Sequence, residues 1–500
     1  MIVSSITMVL KETQPIYQWT NVFNQYYGTI LGSALIFNQG FMTGFMSTAL
    51  VEFSSEMSPL ASGPLTNEQV SWVGSISCIG SLIGTFSFGY IANVLGCKRF
   101  MLFTVISFIV SWLLIALGND YLYILLARLI GGWAGGSLPP ALVLYISEIS
   151  NNDIRGRLGS FPLVLFNIGV LISYILCAEV DYKYVPYICF WIPIVFAAIF
   201  TMLPNTPQYY LHNGKFLNAE NSVKYYKNYK GLCSEEDVAL YNECERLKSI
   251  ANTRRTEVKL CAADFFTKSA IKGIGIGIAL CTIGQFTAKF PIISYAVMVF
   301  QKTGTSLDPY ASSIMMAIAL IIGSLTTTYF ADRLGRKVLI IVSLLGSAFA
   351  LLATSMYHYL YLNGYELSSF AWVPLVSLSF DVFISSAGIT PLMMVCSVEN
   401  LPPKIRTFGM SIISFMMNII AFVSMKLFPI LLETLNLYPC FMIYGVGCIV
   451  GTIFFYLVLE DTSGKSLDDV GINEDAKMTH TLSGRNYNTF STYVERKNSV

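Results

Sequence analysis

Apolar stretches about the length of a membrane crossing recur along the chain, each broken by a short polar interval, in two groups of six. The first group lies near residues 26–50, 70–92, 99–118, 121–146, 157–178 and 184–203. The second lies near 269–300, 309–331, 337–356, 370–397, 407–432 and 437–458. Most reach the roughly 20 residues a helix needs to span about 30 Å of hydrocarbon. The pattern predicts an all-α membrane protein with twelve transmembrane helices in two six-helix bundles. The predicted domains are a tail at 1–25, a bundle at 26–203, a linker at 204–266, a second bundle at 267–458 and a tail at 459–500.

Composition agrees with this reading. Hydrophobic residues make up 54% of the chain, charged residues only 12%, and the mean hydropathy is +0.60. Soluble domains carry about 25% charged residues. Residues 1–25 are mixed and include Lys11, Glu12 and Gln14, so no cleavable signal is expected there and the first crossing directs insertion.

The two halves repeat a turn. Gly89–Arg99 and Ala331–Lys337 each fall between apolar stretches, about 240 residues apart, and each combines a tight glycine-containing turn with basic residues. Matching halves inside a bilayer predict a carrier with its solute site between two bundles.

Basic residues set the orientation. The loops at 51–69, 118–120, 179–183, 301–308, 357–369 and 433–436 contain only Lys183 and Lys302. The opposite loops hold Lys98, Arg99, Arg155, Arg157, Arg333, Arg336, Lys337, Lys404 and Arg406. The positive-inside rule then puts both termini and the central loop in the cytoplasm, with the plasma membrane as the expected location.

Little points to other chemistry. A net charge of +1 implies no nucleic-acid partner, and three histidines make a His-based metal centre improbable. The 11 cysteines show no paired spacing and read as small packing residues. There is no nucleophile elbow, Walker loop or HExxH motif to suggest an enzyme, and no cofactor is implied. No ring of polar residues recurs along the helices as a channel would require. The expected partners are a small-molecule solute and the lipid bilayer; the oligomeric state is not readable.

The linker opens with Pro204-Asn205-Thr206-Pro207 and reads as amphipathic helices around Ala219–Tyr229 and Glu235–Ile250, bridging the bundles on the cytoplasmic face. Residues 467–500 are polar and Ser/Thr/Asn-rich, a composition expected to be disordered.

Charged residues cluster at the predicted cytoplasmic helix ends: Arg128, Glu148, Arg155, Asp332, Arg333, Arg336, Glu399 and Arg406. Ionisable groups at the membrane margin are expensive, so they are expected to pair and to latch the two halves on the inner side. The alternative is that they are ordinary helix-end charges.

These residues belong to recognisable motifs: Arg128-x-x-Gly131 leading to Tyr145-Ile146-Ser147-Glu148, then Arg155-Gly156-Arg157-Leu158-Gly159 and Pro204-x-x-Pro207. They continue with Asp332-Arg333-x-Gly335-Arg336-Lys337, Glu399-x-x-Pro402-x-x-x-Arg406 and Asp461-Thr462-x-Gly464-Lys465-Ser466. In this order they resemble the sugar porter family of the major facilitator superfamily. Leu65–Trp72 and Pro207-Gln208-Tyr209-Tyr210-Leu211 further resemble the insect facilitated trehalose transporter group. The first cassette departs from the family pattern at Asn93 and Val94, and the linker motif departs at Asn205.

The resemblance implies a central sugar site built from amides on helices 5, 7, 8 and 11 and a Trp on helix 10. At those positions stand Leu163 (after Pro162), Gly284, Gln285, Phe290, Leu320, Met394 and Met417. Asn418 is one residue on, about 100° around the helix. Only Gln285 keeps the family amide, while Ser386 and Tyr295 match polar family positions. Losing roughly five contacts, each worth about 0.5–1.5 kcal/mol, weakens a hexose site.

Lys289 on helix 7 and Asp381 on helix 10 are intramembrane charges outside the family pattern. They are expected either to pair across the cavity or to contact solute; alternatively Lys289 reaches lipid headgroups. Lys426 reads as structural. Family proton symporters carry an acid on helix 1, which residues 26–50 lack, so uniport is expected, with Asp381 keeping proton symport open. Gly131, Gly132, Gly135 and Gly136 are expected to pack helix 4 closely, and Ala288–Pro291 and Gly388–Pro391 to let helices 7 and 10 bend.

The function expected from the resemblance is facilitated alternating-access uniport of a small solute, a sugar such as trehalose or a hexose. Two alternatives stay open: a carrier of a less polar solute, and a transport-incompetent sugar sensor.

Overall fold

The computed structural model describes residues 14–228, 262–305, 307–330, 335–402 and 405–459. Helical segments follow the apolar stretches in order. In the first half they are α1 (Gln14–Ser54), α2 (Asn67–Leu95), α3 (Cys97–Leu117), α4 (Tyr121–Ile149), α5 (Phe161–Glu179) and α6, in the pieces Val185–Cys189 and Trp191–Thr201. In the second half α7 runs in three pieces, Lys268–Gln285, Lys289–Ser294 and Ala296–Thr303, followed by α8 (Pro309–Phe330) and α9 (Arg336–Leu362). The last are α10, in the pieces Val373–Ala387 and Ile389–Glu399, α11 (Arg406–Thr434) and α12 (Leu437–Val458). Among the described residues ten helices are long and apolar enough to cross a membrane, and Val185–Thr201 is a shorter apolar one. This is a multi-pass membrane protein.

Helix ends alternate between two faces. The linker and the end of α12 share the terminal face, and the connection between α1 and α2 lies on the far face. The helix starts have local causes. At α2 the Thr66 hydroxyl accepts from the Gln69 N–H while the Gln69 side chain accepts from the Thr66 N–H, a reciprocal cap that satisfies two donors the helix cannot.

The repeated turn takes the same form twice. Gly96 between α2 and α3 and Gly335 before α9 have φ of +81° and +82°. With ψ of 156° and 145° both lie in a region open only to glycine. A β-carbon at 96 would also lie 2.3 Å from the Tyr209 ring, over which Arg99 sits at 5.0 Å.

Helices in lipid gain little from burying apolar surface against each other, so close backbone approach and interhelical hydrogen bonds hold them. The glycines of α4 divide this work between two neighbours. A β-carbon on Gly132 or Gly136 would lie 2.3 or 2.2 Å from the carbonyls of Ser77 and Ser81 on α2. There Ser81 and Thr85 donate to the Gly132 and Gly136 carbonyls at 3.1 and 3.2 Å. Gly131 and Gly135 instead make room for Met42 and Gln39 of α1.

The described part of the linker contains helices Pro207–His212 and Phe216–Lys227. The latter starts three residues before the expected Ala219 and docks under the first bundle. Tyr226 is buried there, donating to the Pro204 carbonyl at 2.8 Å and lying 3.1 Å from the Tyr145 hydroxyl. The expected helix 235–250, Asp332, Arg333, Lys404, the 461–466 motif and the tail beyond it lie outside the described residues.

Candidate functional site

The two bundles meet along α1, α2 and α5 on one side and α7, α8 and α11 on the other. Polar contacts join them in the half toward the far face. The Tyr174 hydroxyl of α5 donates to the Ile293 carbonyl of α7 at 2.6 Å, and the Val297 N–H donates to Ser47 of α1 at 3.2 Å. On the α2–α11 seam, Lys426 donates to Ser71 at 2.8 Å with its ammonium 4.1 Å from the Trp72 ring centre. Asn67 bonds Glu433 at the rim. Lys426, read from sequence as structural, is thus a bridge between bundles.

Tyr295 was expected at the solute site, but it is wholly buried and its hydroxyl donates to the Met425 carbonyl at 3.2 Å. The ring stacks on Phe428, and the hydroxyl lies where a β-carbon on Gly74 of α2 would be, 1.7 Å away. It packs within the seam between α2 and α11.

Arg128 is not at a cytoplasmic helix end. α4 enters from the far face at Tyr121, so Arg128 lies two turns in, on the far half, and is 6% exposed. Its Nε donates to the Val73 carbonyl at 3.2 Å and Nη2 to Ser77 at 3.1 Å, fixing α4 to α2. The expectation that it belongs to an inner ring is corrected: the helix runs in the opposite sense to the one that placement needs.

The other ring members among the described residues sit at the terminal face. Glu148 is next to the last residue of α4, and Arg155, in helix Asn152–Leu158, donates to the Ser147 carbonyl at 3.1 Å. Arg336 and Glu399 form an ion pair, and Arg406 opens α11. The Arg336–Glu399 pair ties α9 to α10 inside one bundle, whereas the expected latch joined the two halves.

The expected solute residues separate by what their polar groups already do. Ser386 donates to the Val382 carbonyl at 2.6 Å and Asn418 to the Ser414 carbonyl at 2.8 Å, so both are engaged within their own helices. Leu320 is fully buried in the core, Met394 and Met417 pack against it, Leu163 is half-buried and Phe290 is 37% exposed. Gln285, at the end of the first piece of α7, is 5% exposed, and its Oε1 has no donor. A buried amide oxygen left bare is costly unless something meets it.

Sequence reasoning passed over two further amides. Asn167 on α5 is 1% exposed with no acceptor for its Nδ2, and Gln39 on α1 is half-buried against Gly135. The available signal for Asn167 was its spacing, one helical turn after Leu163.

Lys289 and Asp381 are 4% and 0% exposed, so Lys289 does not lie along the lipid-facing surface. Both Asp381 oxygens lack a donor. The two residues make no ion pair with each other. Lys289 follows Ala288, a non-glycine at φ +54° in the turn that splits α7, and α10 splits at Gly388. The expected bends are therefore real breaks.

Residues 26–473 match the family described as sugar (and other) transporter. The chain belongs to that family. Among curated relatives, the facilitated trehalose transporter Tret1 of Culex quinquefasciatus is 28% identical over 440 residues, covering 88% of this chain and 83% of that protein. The Tret1 of Polypedilum vanderplanki is 28% identical over 458 residues, covering 92% and 88%. Other relatives of the same name are longer, and the chain spans about half of them, 52% in Drosophila mojavensis. The fold matches the xylose transporter XylE of E. coli in an inward open conformation, with a TM-score of 0.73 and 19% identity, covering 90% of this chain and 99% of that one. Membership places the chain among membrane transporters and not among enzymes.

Proposed function

We propose that this sugar-transporter family member moves a sugar, with trehalose the first candidate, by facilitated alternating access without a coupling ion. The bundles at 26–203 and 267–458 rock about the interface, with the linker 204–266 and the tails 1–25 and 459–500 on the cytoplasmic side of the plasma membrane. The observation that carries this reading is the seam between the bundles. Its polar part consists of single hydrogen bonds and a cation–π contact, each worth about 0.5–2 kcal/mol, so these contacts can break and re-form in each cycle. The names of the relatives supply trehalose. The absence of an acid from residues 26–50 supports uniport.

The apolar positions Leu163, Met394 and Met417 favour a second reading, a less polar solute, because a hydroxyl facing them would lose its water uncompensated. Purified protein in liposomes decides between them. The expected result is saturable uptake and counterflow of labelled trehalose or glucose, unchanged by an imposed pH gradient. Uptake that needs the gradient overturns uniport. Binding without uptake identifies a receptor, and neither binding nor uptake leaves the less polar solute.

A further inference from the structure

Near the middle of the interface, two buried amides are left incomplete in complementary ways. Asn167 has a donor without an acceptor and Gln285 an acceptor without a donor. They belong to different bundles, and their level can be read from the Tyr174–Ile293 hydrogen bond that joins α5 to α7 at 2.6 Å. Asn167 precedes Tyr174 by seven residues, about 10 Å along α5 and within about 20° of the same direction. Tyr174 reaches the second bundle, so Asn167, two turns deeper, is on the face turned toward it. Gln285 precedes Ile293 on α7 and closes the piece Lys268–Gln285, so it lies on the terminal-face side of that contact, across the break at Ala288. The two orphaned atoms therefore both lie on the terminal-face side of the Tyr174–Ile293 contact, one on each bundle. Gln39 on α1 lies level with Asn167, since a β-carbon on its neighbour Gly40 would sit 2.0 Å from the Phe166 carbonyl.

We propose that Asn167 is a specificity-determining residue of the transport site, reading a solute hydroxyl jointly with Gln285. A hydroxyl accepts one hydrogen bond and donates another, so one hydroxyl completes both amides, accepting from Asn167 Nδ2 and donating to Gln285 Oε1. A solute rich in hydroxyls extends the same pattern to Gln39. Leu163 occupies the position where the family resemblance expects an amide, and Asn167 brings an amide back one turn along the same face. The inference rests on the sugar-transport reading and deepens it by naming the residue that reads the solute.

The test is uptake of glucose and of its 2-, 3-, 4- and 6-deoxy analogues by liposomes holding wild-type protein, Asn167→Leu or Asn167→Gln. In the wild type, removing one particular hydroxyl is expected to raise KM about threefold to tenfold, the worth of one hydrogen bond. In Asn167→Leu, KM for glucose rises by a similar factor and that analogue no longer differs from glucose, while Asn167→Gln recovers part of the discrimination. A purely structural role would lower uptake of all five sugars alike, and that outcome overturns the inference. So does an Asn167→Leu protein indistinguishable from wild type. If Asn167→Leu does not run as a monodisperse protein, Asn167→Ser is measured against the same criteria. Wild-type protein that moves neither trehalose nor any of these sugars overturns the transport reading and this inference with it, whereas sugar uptake indifferent to residue 167 overturns only the inference.

Discussion

The ammonium of Lys426 lies 4.1 Å from the centre of the Trp72 ring and 2.8 Å from the Ser71 hydroxyl, joining α11 of one bundle to α2 of the other. A cation over an indole face contributes about 0.5 kcal/mol when exposed and about 2 kcal/mol when desolvated. Lys426→Met is therefore expected to shift the protein toward the conformation open at the far face by about 2- to 30-fold. The measurement is the rate at which an impermeant maleimide labels a cysteine placed at Ser47. An unchanged rate would show that the contact contributes nothing to closure.

Gly74 is the point where the seam closes most tightly. Alanine there places a carbon 1.7 Å from the Tyr295 hydroxyl, which is held by Met425 and Phe428. Overpacking of this kind costs about 1–3 kcal/mol. Gly74→Ala is expected to raise Ser47Cys labelling and slow uptake, whereas Gly89→Ala on the same helix, with open space around it, changes neither. Equal behaviour of the two variants would remove Gly74 from the gate.

Glu399→Gln leaves the half-buried Arg336 guanidinium without its carboxylate. The expected loss is about 1–3 kcal/mol of stability, read as a lower melting temperature in detergent. Because the pair is local to α9 and α10, the exchanged variant Arg336→Glu/Glu399→Arg should regain part of that loss. A melting temperature indifferent to all three substitutions would show that the pair is worth nothing to the fold.

Asp381 is fully buried with neither oxygen bonded, and Lys289 is not within ion-pair reach. An unpaired buried carboxylate is expensive. Asp381→Asn is therefore expected to leave the melting temperature unchanged or higher, and sugar uptake near the wild-type rate at neutral pH. Loss of uptake, recovered on adding Lys289→Met, would instead place the two charges in the transport cycle.

The ten long crossings among the described residues were legible because lipid imposes a length and a hydropathy that few other folds demand. The splits in α7 and α10 were legible too, since Ala288–Pro291 and Gly388–Pro391 hold residues that interrupt a helix. The depth of Arg128 was misread, although the direction of α4 follows from the loop charges: an arginine inside an apolar run looks the same near either end. Asn167 was missed because family positions were matched one to one, and a polar group displaced by a turn escapes that comparison. The Lys426–Trp72 contact lay beyond reach, since partners 354 residues apart acquire their register only when both bundles are assembled.

Tyr174 grips a main-chain oxygen and no side chain of its partner helix. Evolutionary drift at position 293 thus leaves this clasp intact, since every amino acid offers the same carbonyl. The burden falls wholly on the phenol: no compensating replacement at 293 can rescue its loss. A survey of natural variation is then expected to find 293, buried in the core, varying among apolar residues, and 174 restricted to residues that can donate from the same distance.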